Sequence, residues 1–282
     1  MSPSAELENV FPGMTHLRPC PFCGSADGFV KLVEPPFRIL KCRSCSFVYL
    51  GNPPDHNQMY EDYYESAEPD PQKYHHDSGD PALAELFAIN TQRISRIKKI
   101  KPDGMLLDVG CGRGTFLKTA RDHGFTVHGV DISERATAYA QREFGLKAGL
   151  GSLEDLAKQD QRFDVITLWH VLEHFLDPLK SLAQARSLLN NGGICVVEVP
   201  NLRSLKFIFA KRKWEGGNHP LYHRTFFTTL TLRRALLKAG FSDARRLKLP
   251  YKIPQRSRIY EGFKAALNLV GMDAFLAFVA RK

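Results

Sequence analysis

The sequence of 282 residues holds no apolar run near the roughly 20 residues that a membrane-spanning helix needs. Its first residues, MSPSAELENVF, lack a basic stretch followed by an apolar one, so no secretory leader is expected and the expected location is cytoplasmic. Gly-Lys-Ser and Gly-Lys-Thr are absent, which removes a phosphate-binding P-loop, and so is GxGxxG, which removes the usual dinucleotide turn. Acidic residues are scarce at one end only: residues 201–282 hold 18 of the 39 Lys and Arg but 4 of the 30 Asp and Glu. The basic bias therefore sits in the C-terminal third, where it favours an anionic partner or forms a solvated basic face.

With 43% hydrophobic residues the chain can bury a full core, as one large domain or a domain with an appendage. Six cysteines are present, and four of them form Cys20-Pro-Phe-Cys23 and Cys42-Arg-Ser-Cys45, eighteen residues apart. Two such pairs joined by an apolar hairpin suit tetrahedral zinc, because each tight turn presents two thiolates. Four cysteine ligands leave no open coordination position, so the metal is expected to be structural. Gly24 follows the first pair, but Ser46 follows the second, where a glycine would ease the turn. Residues 1–50 are read as a zinc ribbon, which is small enough to need its metal.

Residues 51–80, rich in Pro, Asp, His and Tyr, are read as a linker or cap. Tyr60, Tyr63 and Tyr64 either pack the ribbon on the main domain or close over a ligand, and His75 and His76 receive no role. From residue 81 to 282 helical and strand patterns alternate. The strands are expected near 105–109, 125–130, 146–150, 163–168, 193–199, 244–249 and 274–280, which predicts an α/β fold with a mostly parallel sheet covered on both faces. In such sheets the ligand lies at the carboxyl ends of the strands.

Within this pattern, GMLLDVGCGRGTFL (104–117) runs from a buried strand through Gly110, Gly112 and Gly114 straight into a helix. Glycines there let the backbone approach a ligand and take positive φ cheaply. Asp131 ends the next strand, 17 residues after Gly114, where a carboxylate can accept both ribose hydroxyls. GxGxG with that aspartate and without a phosphate-binding lysine selects a nucleoside ligand that has no pyrophosphate.

Together with FDVITLWHVLEHFLDP (163–178), these motifs resemble the class I methyltransferases that use S-adenosylmethionine, over roughly residues 81–282. The resemblance implies a seven-stranded Rossmann-like sheet whose last strand is antiparallel. It places Asp108, Gly110, Cys111 and Gly112 near the methionine part, Asp131 with Ile132 at the ribose, and Ser152 with Leu153 near the adenine. Ser152 stands where many relatives carry an acid, so an adenine contact from a carboxylate is not expected. Trp169 and His170 would line the cofactor.

Methylases of exocyclic base amines carry an Asn- or Asp-Pro-Pro-aromatic motif after the fourth strand, where this chain has Leu168-Trp169-His170. Cys111 and Cys195 read as buried fillers rather than nucleophiles. VLEHFLDP, PNLRS and YHRTFFTTLTLRRALLKAGF resemble small-molecule methyltransferases of quinone precursors, sugars and natural products, and the ribbon resembles that of sugar C-methyltransferases. An anionic sugar nucleotide or related hydroxylated small molecule is therefore the expected acceptor. A quinone-precursor O-methyltransferase, an RNA methyltransferase gripping RNA with ribbon and basic third, and a non-catalytic cofactor-binding assembly protein are the alternatives.

An oxygen or carbon acceptor must lose a proton, and imidazoles titrate in the right range. His170, His174, His219 and His223 are candidates, with His223, beside Tyr222 after the fifth strand, the first choice. His174 with Glu173 either serves as base or caps its turn. The loop 201–223 mixes Arg203, Lys206, Lys211, Arg212 and Lys213 with Phe207, Phe209 and Trp214, a blend suited to nucleic acid or to a phosphorylated ring-bearing substrate. Tyr260–Val270 reads as an amphipathic helix that packs on the domain, makes a dimer contact or touches a membrane surface.

Overall fold

The computed structural model describes residues 17–34, 37–54, 81–204, 222–249 and 272–282. The tyrosines 60, 63 and 64, His75, His76, His219, the basic and aromatic residues from Lys206 to Trp214 and the helix expected over 260–270 lie outside them.

Two sheets organise the described chain. The first begins with β1 (Gly28–Glu34), β2 (Phe37–Cys42) and β3 (Val48–Leu50), an antiparallel meander. The first cysteine pair precedes β1, and the second lies at the turn from β2 to β3. This arrangement brings Cys20 Sγ to 3.6 Å from Cys45 Sγ and Cys23 Sγ to 3.6 Å from Cys42 Sγ. Disulfide sulfurs lie about 2.05 Å apart, whereas thiolates around a tetrahedral zinc with ~2.3 Å bonds lie about 3.8 Å apart. Both turns take left-handed backbone, Gly24 at φ 76° and Ser46 at φ 64°, so the serine occupies the conformation that a glycine would relieve.

The second sheet is built from β4 (Met105–Val109), β5 (Thr126–Asp131), β6 (Ala148–Leu150), β7 (Phe163–Trp169), β8 (Leu189–Pro200), β10 (Asp243–Arg246) and β11 (Phe275–Arg281). Its order is β10-β11-β8-β7-β4-β5-β6. β4 through β8 run parallel, and β11 is antiparallel to both of its neighbours, the seven-stranded mixed sheet expected above. β8 starts at Leu189, four residues earlier than its apolar run suggests, because the helix before it gives way directly to strand. The chain order reverses at β4, which has β5 on one side and β7 on the other, so a crevice opens beyond their carboxyl ends.

Helices cover both faces: α1 (Pro81–Lys98), α2 (Thr115–Asp122), α3 (Glu134–Phe144), α4 (Leu153–Ala157), α5 (Pro178–Leu188) and α6 (Thr229–Lys238). Local chemistry sets their starts. Ser133 accepts from the Ala136 N–H, Asp177 from the Lys180 N–H with Pro178 behind it, and Thr228 with Thr231 forms a reciprocal cap. The pleat then divides the core. Leu106, Ile194 and Val196 pack with Ile94, Ile97, Phe116 and Leu117 on one face, while Leu107, Cys195, Val197 and Val199 pack with Leu182, Ala185, Leu232 and Leu236 on the other. Burial on both faces is why β8 reads as a continuous apolar run instead of an alternating one.

Cys20, Phe22, Leu40, Cys42, Phe47 and Tyr49 of the first sheet belong to that second face's core. The two sheets are also joined through a strand that the sequence pattern did not reveal, β9 (Thr225–Phe226). It pairs with β3, Val48 opposite Phe226 and Tyr49 opposite Thr225, and completes the order β1-β2-β3-β9. Lys238 of α6 adds a hydrogen bond to the Phe22 carbonyl at 2.8 Å.

Candidate functional site

The glycine turn after β4 is fastened to β5 from below and open above. The N–H groups of Gly110 and Cys111 both donate to the Val130 carbonyl, at 2.8 and 3.1 Å. Gly110, Gly112 and Gly114 take φ of 67°, 51° and 78°. A Cβ on Gly110 would lie 2.5 Å from Val171, and one on Gly114 would lie 2.6 Å from Leu146, so both glycines are packed from outside. A Cβ on Gly112 would meet nothing within 4 Å, so this turn presents free backbone to the crevice.

Asp131 closes the turn. Gly112 N–H donates to its Oδ2 at 2.8 Å and Ser133 N–H to its Oδ1 at 2.9 Å. Each oxygen keeps a lone pair, so a carboxylate fixed in this way can still accept two ribose hydroxyls. Beside it Ile132 and Leu150, which stands opposite Asp131 in the β5–β6 register, are 46% and 60% exposed, an apolar surface against which a flat base could pack. Ser152 uses its hydroxyl to cap α4 in a reciprocal pair with Asp155, and Leu153 is buried in the core. Leu150, which the sequence reading placed at the end of a strand near 146–150 without a site role, supplies the exposed face at this end.

Asp108 is buried at the end of β4 and accepts from Thr167 Oγ1 at 2.6 Å. Burial pushes its pKa up to about 7, against the pull of Thr167 and Arg93. Cys111 fills the space above Gly129, whose Cβ would lie 2.7 Å from its sulfur, and Cys195 lies inside β8. Burial raises both thiols, which suits fillers and not nucleophiles.

Beyond β7 and β8 lies a buried polar network that the sequence reading marked only in part. Arg93 reaches across from α1 to Glu198 Oε1 at 2.5 Å, donates to Asn90 at 3.1 Å and stacks on Trp169 with its guanidinium carbon 4.3 Å from the ring centre. His170, at φ 57°, places Nε2 3.0 Å from Glu198 Oε1 and Nδ1 3.5 Å from Glu173 Oε1. Burial alone would lower the pKa of this imidazole, but the two carboxylates outweigh it and raise it to about 9. His170 is therefore a cation at neutral pH and is unsuited to act as a base. Trp169 and His170 thus meet Arg93 and Glu198, whose spacing in sequence, 105 residues apart, gave no signal.

Glu173, 1% exposed, follows on a short 3-10 turn (Leu172–His174). Its carboxylate oxygens have no hydrogen-bond partner among the described residues, the nearest cation being His170 at an ion-pair distance. Burial would raise its pKa, but His170, His174 and His223 together lower it, so it is held as a carboxylate. Glu173, His174 and His223 bring one ligand atom each within 4.8 Å of one another, a donor set able to hold a proton or a divalent cation. The rings of His174 and His223 meet edge to face at 4.9 Å, and His174 Nδ1 lies 3.0 Å from the Tyr222 carbonyl. Tyr222 thus contributes a main-chain contact. Glu173 and His223 line a cleft with Pro200, Asn201, Leu202, Thr225 and Phe226 at the carboxyl end of β8. Val171, two residues before Glu173, packs against Gly110, so the segment that carries Glu173 also borders the glycine turn.

The raised His170 pKa has a sign. A cation stabilised in the folded state adds stability that is fully present below its unfolded value of about 6.5 and is lost as pH rises through about 9. Asparagine tolerates left-handed backbone, so the thermal-midpoint gap between wild type and His170→Asn is expected to be widest near pH 6 and to shrink through about pH 9. A gap independent of pH would contradict this account.

Comparison with known proteins agrees with this geometry. A family model described as a methyltransferase domain matches residues 82–245. The ubiquinone biosynthesis O-methyltransferase of Coxiella burnetii is 37% identical over 115 residues, 38% of this chain and 49% of that protein. That of Leptothrix cholodnii is 31% identical over 136 residues, 44% and 57% respectively. The chain thus spans about half the length of the curated relatives it matches. Among solved structures, magnesium protoporphyrin IX methyltransferase from Synechocystis with SAH bound aligns at TM-score 0.54 and 18% identity, covering 80% of this chain and 100% of that one. An S-adenosylmethionine-dependent methyltransferase from Archaeoglobus fulgidus aligns at 0.52 and 21%, covering 81% and 100%. At such identities the likeness is one of fold, and the seven-stranded order and its antiparallel β11 agree with it. Together with the family model, which spans more than half of its length, they show that the chain belongs to the methyltransferase domain family and has the class I S-adenosylmethionine-dependent fold.

Proposed function

We propose that this protein transfers a methyl group from S-adenosylmethionine to a hydroxyl of a small, ring-bearing acceptor, with His223 as the base. The observation that carries the reading is the pairing of a buried Glu173, held as a carboxylate, with His223 in a cleft at the carboxyl end of β8, on the segment whose Val171 packs against the glycine turn. S-adenosylmethionine, when bound, supplies a methyl group already activated on sulfur. What remains for the chain is to hold, align and deprotonate. The open space beside the Gly112 Cα, the fixed carboxylate of Asp131 and the exposed faces of Ile132 and Leu150 suit the nucleoside. Asp108 sits beneath the turn, and Trp169 and His170 close the floor between the two halves.

On the acceptor side, Glu173 gives His223 a negative neighbour, which favours the imidazolium formed when the ring takes a hydroxyl proton. Phe275, 41% exposed and 4.7 Å from the His170 ring, offers an aromatic wall suited to a planar acceptor. The relatives named as ubiquinone O-methyltransferases favour a phenolic hydroxyl of a quinone precursor over the sugar nucleotide that the basic third suggested. The relatives reported above are named for neither a sugar nucleotide nor RNA, and most of the basic loop invoked for both lies outside the described residues. No helix among the described residues is long and apolar enough to cross a membrane.

We assign zinc to Cys20, Cys23, Cys42 and Cys45, on the sulfur spacing and the closed thiolate set. Freshly purified protein is then expected to carry about one zinc per chain by elemental analysis, and metal-free yet folded protein would remove the assignment. Asp131→Ala is expected to raise the S-adenosylmethionine Kd by about 10- to 100-fold in calorimetry, as losing a bidentate hydroxyl contact of about 1.5–3 kcal/mol implies. His223→Ala is expected to slow methylation of a short-chain catechol analogue of a quinone precursor by about 10²- to 10⁴-fold with cofactor affinity retained. Unchanged turnover in that variant, or label transfer to RNA or a sugar nucleotide alone, would overturn the proposal.

A further inference from the structure

We propose that Arg18, on the cysteine ribbon, is the positioning residue for His223, so that the ribbon is a working part of the acceptor site. The inference rests on the His223 reading above. Arg18 stands two residues before Cys20, and its guanidinium donates to three main-chain carbonyls on three separate segments. Nε reaches Leu50 at 2.9 Å, Nη1 reaches Leu176 at 2.9 Å and Nη2 reaches Arg224 at 3.3 Å. Leu50 ends β3, Leu176 follows the turn that carries Glu173 and His174, and Arg224 follows His223 in sequence.

The same segments are tied to one another at the same place. Leu50 N–H donates to the Arg224 carbonyl at 2.9 Å, Arg224 N–H donates to the Glu173 carbonyl at 2.7 Å, and Thr225 Oγ1 donates to the Leu172 carbonyl at 3.3 Å. The main chain on the C-terminal side of His223 is thus clamped between the ribbon and the Glu173 turn, with the Arg18 side chain bonded to all three segments. Only a planar cation with several divergent donors can do this, since a lysine ammonium is a point donor on a flexible stem. None of these hydrogen bonds ends on the glycine turn or on Asp131, so cofactor binding is expected to be insensitive to the loss of the Arg18 guanidinium. The base and its carboxylate, in contrast, depend on it for their separation.

The test uses the full chain as Arg18→Ala and Arg18→Lys beside wild type and His223→Ala. Zinc content, S-adenosylmethionine Kd, ¹⁵N-histidine NMR of the His223 ring and kcat with KM for the acceptor are measured on each. The expected result for Arg18→Ala is unaltered zinc, cofactor affinity within about threefold, displaced His223 ring resonances and kcat lower by about 10- to 100-fold, the scale on which a base misplaced by about 1 Å acts. Lysine at this position is expected to leave the resonances displaced. Wild-type His223 resonances in Arg18→Ala, or a loss of kcat that only follows lost zinc or lost cofactor binding, would overturn the proposal. If the alanine variant does not fold, displaced or wild-type resonances in zinc-loaded Arg18→Lys decide in the same two directions. Full turnover in His223→Ala would remove the base assignment alone, because the NMR reading needs no turnover.

Discussion

Two carboxylates, Glu173 and Glu198, are buried within reach of one imidazole, and much of the site follows from that constraint. A buried carboxylate is costly unless a cation or donors answer it. Glu198 has Arg93 and His170, whereas Glu173 has His170 at 3.5 Å and otherwise faces histidines in the cleft. His170 must therefore be an imidazolium, and it takes left-handed backbone at the end of β7 to stand between them. Strain of this kind persists where surrounding contacts over-determine it, commonly at functional sites.

The network also binds the two halves of the site mechanically. Arg93 comes from α1, Glu198 from β8 and His170 from the end of β7, so one set of ion pairs fixes the helix that packs beside the glycine turn and the strand end that borders the acceptor cleft. Removing one member of a buried ion pair typically costs about 3–5 kcal/mol because the other is left unanswered. The glycine turn and the cleft of Glu173 and His223 are thus held in one frame.

The ribbon enters this frame from the other side. Its β3 strand pairs with β9 immediately after the His223 segment, and its cysteines and aromatics share a core with the central sheet. Part of the framework around the cleft that holds His223 is therefore supplied by residues 17–54. An appendage that looked separable by composition is continuous with the catalytic sheet in packing and in hydrogen bonding.

Sequence alone determined the sheet, the glycine turn with Asp131 and the four-cysteine cluster, because each is encoded by contacts between residues near in sequence: strand periodicity, positive-φ glycines, paired CxxC turns. It also singled out His223 and His174, on residue type. Tertiary structure alone decided that the His170 pKa is raised, since that depends on Glu198 of β8 reaching the ring beside Glu173. It decided that Ser152 is spent on a cap and Leu153 on the core, while Leu150 is left exposed. It decided as well that a two-residue strand, too short to show any period, joins ribbon to site. Apart from the Ser152 cap, which is made locally with Asp155, the physical reason is that pKa, burial and strand pairing are set by neighbours in space, and no local pattern records groups such as Arg93 and Glu198, 105 residues apart.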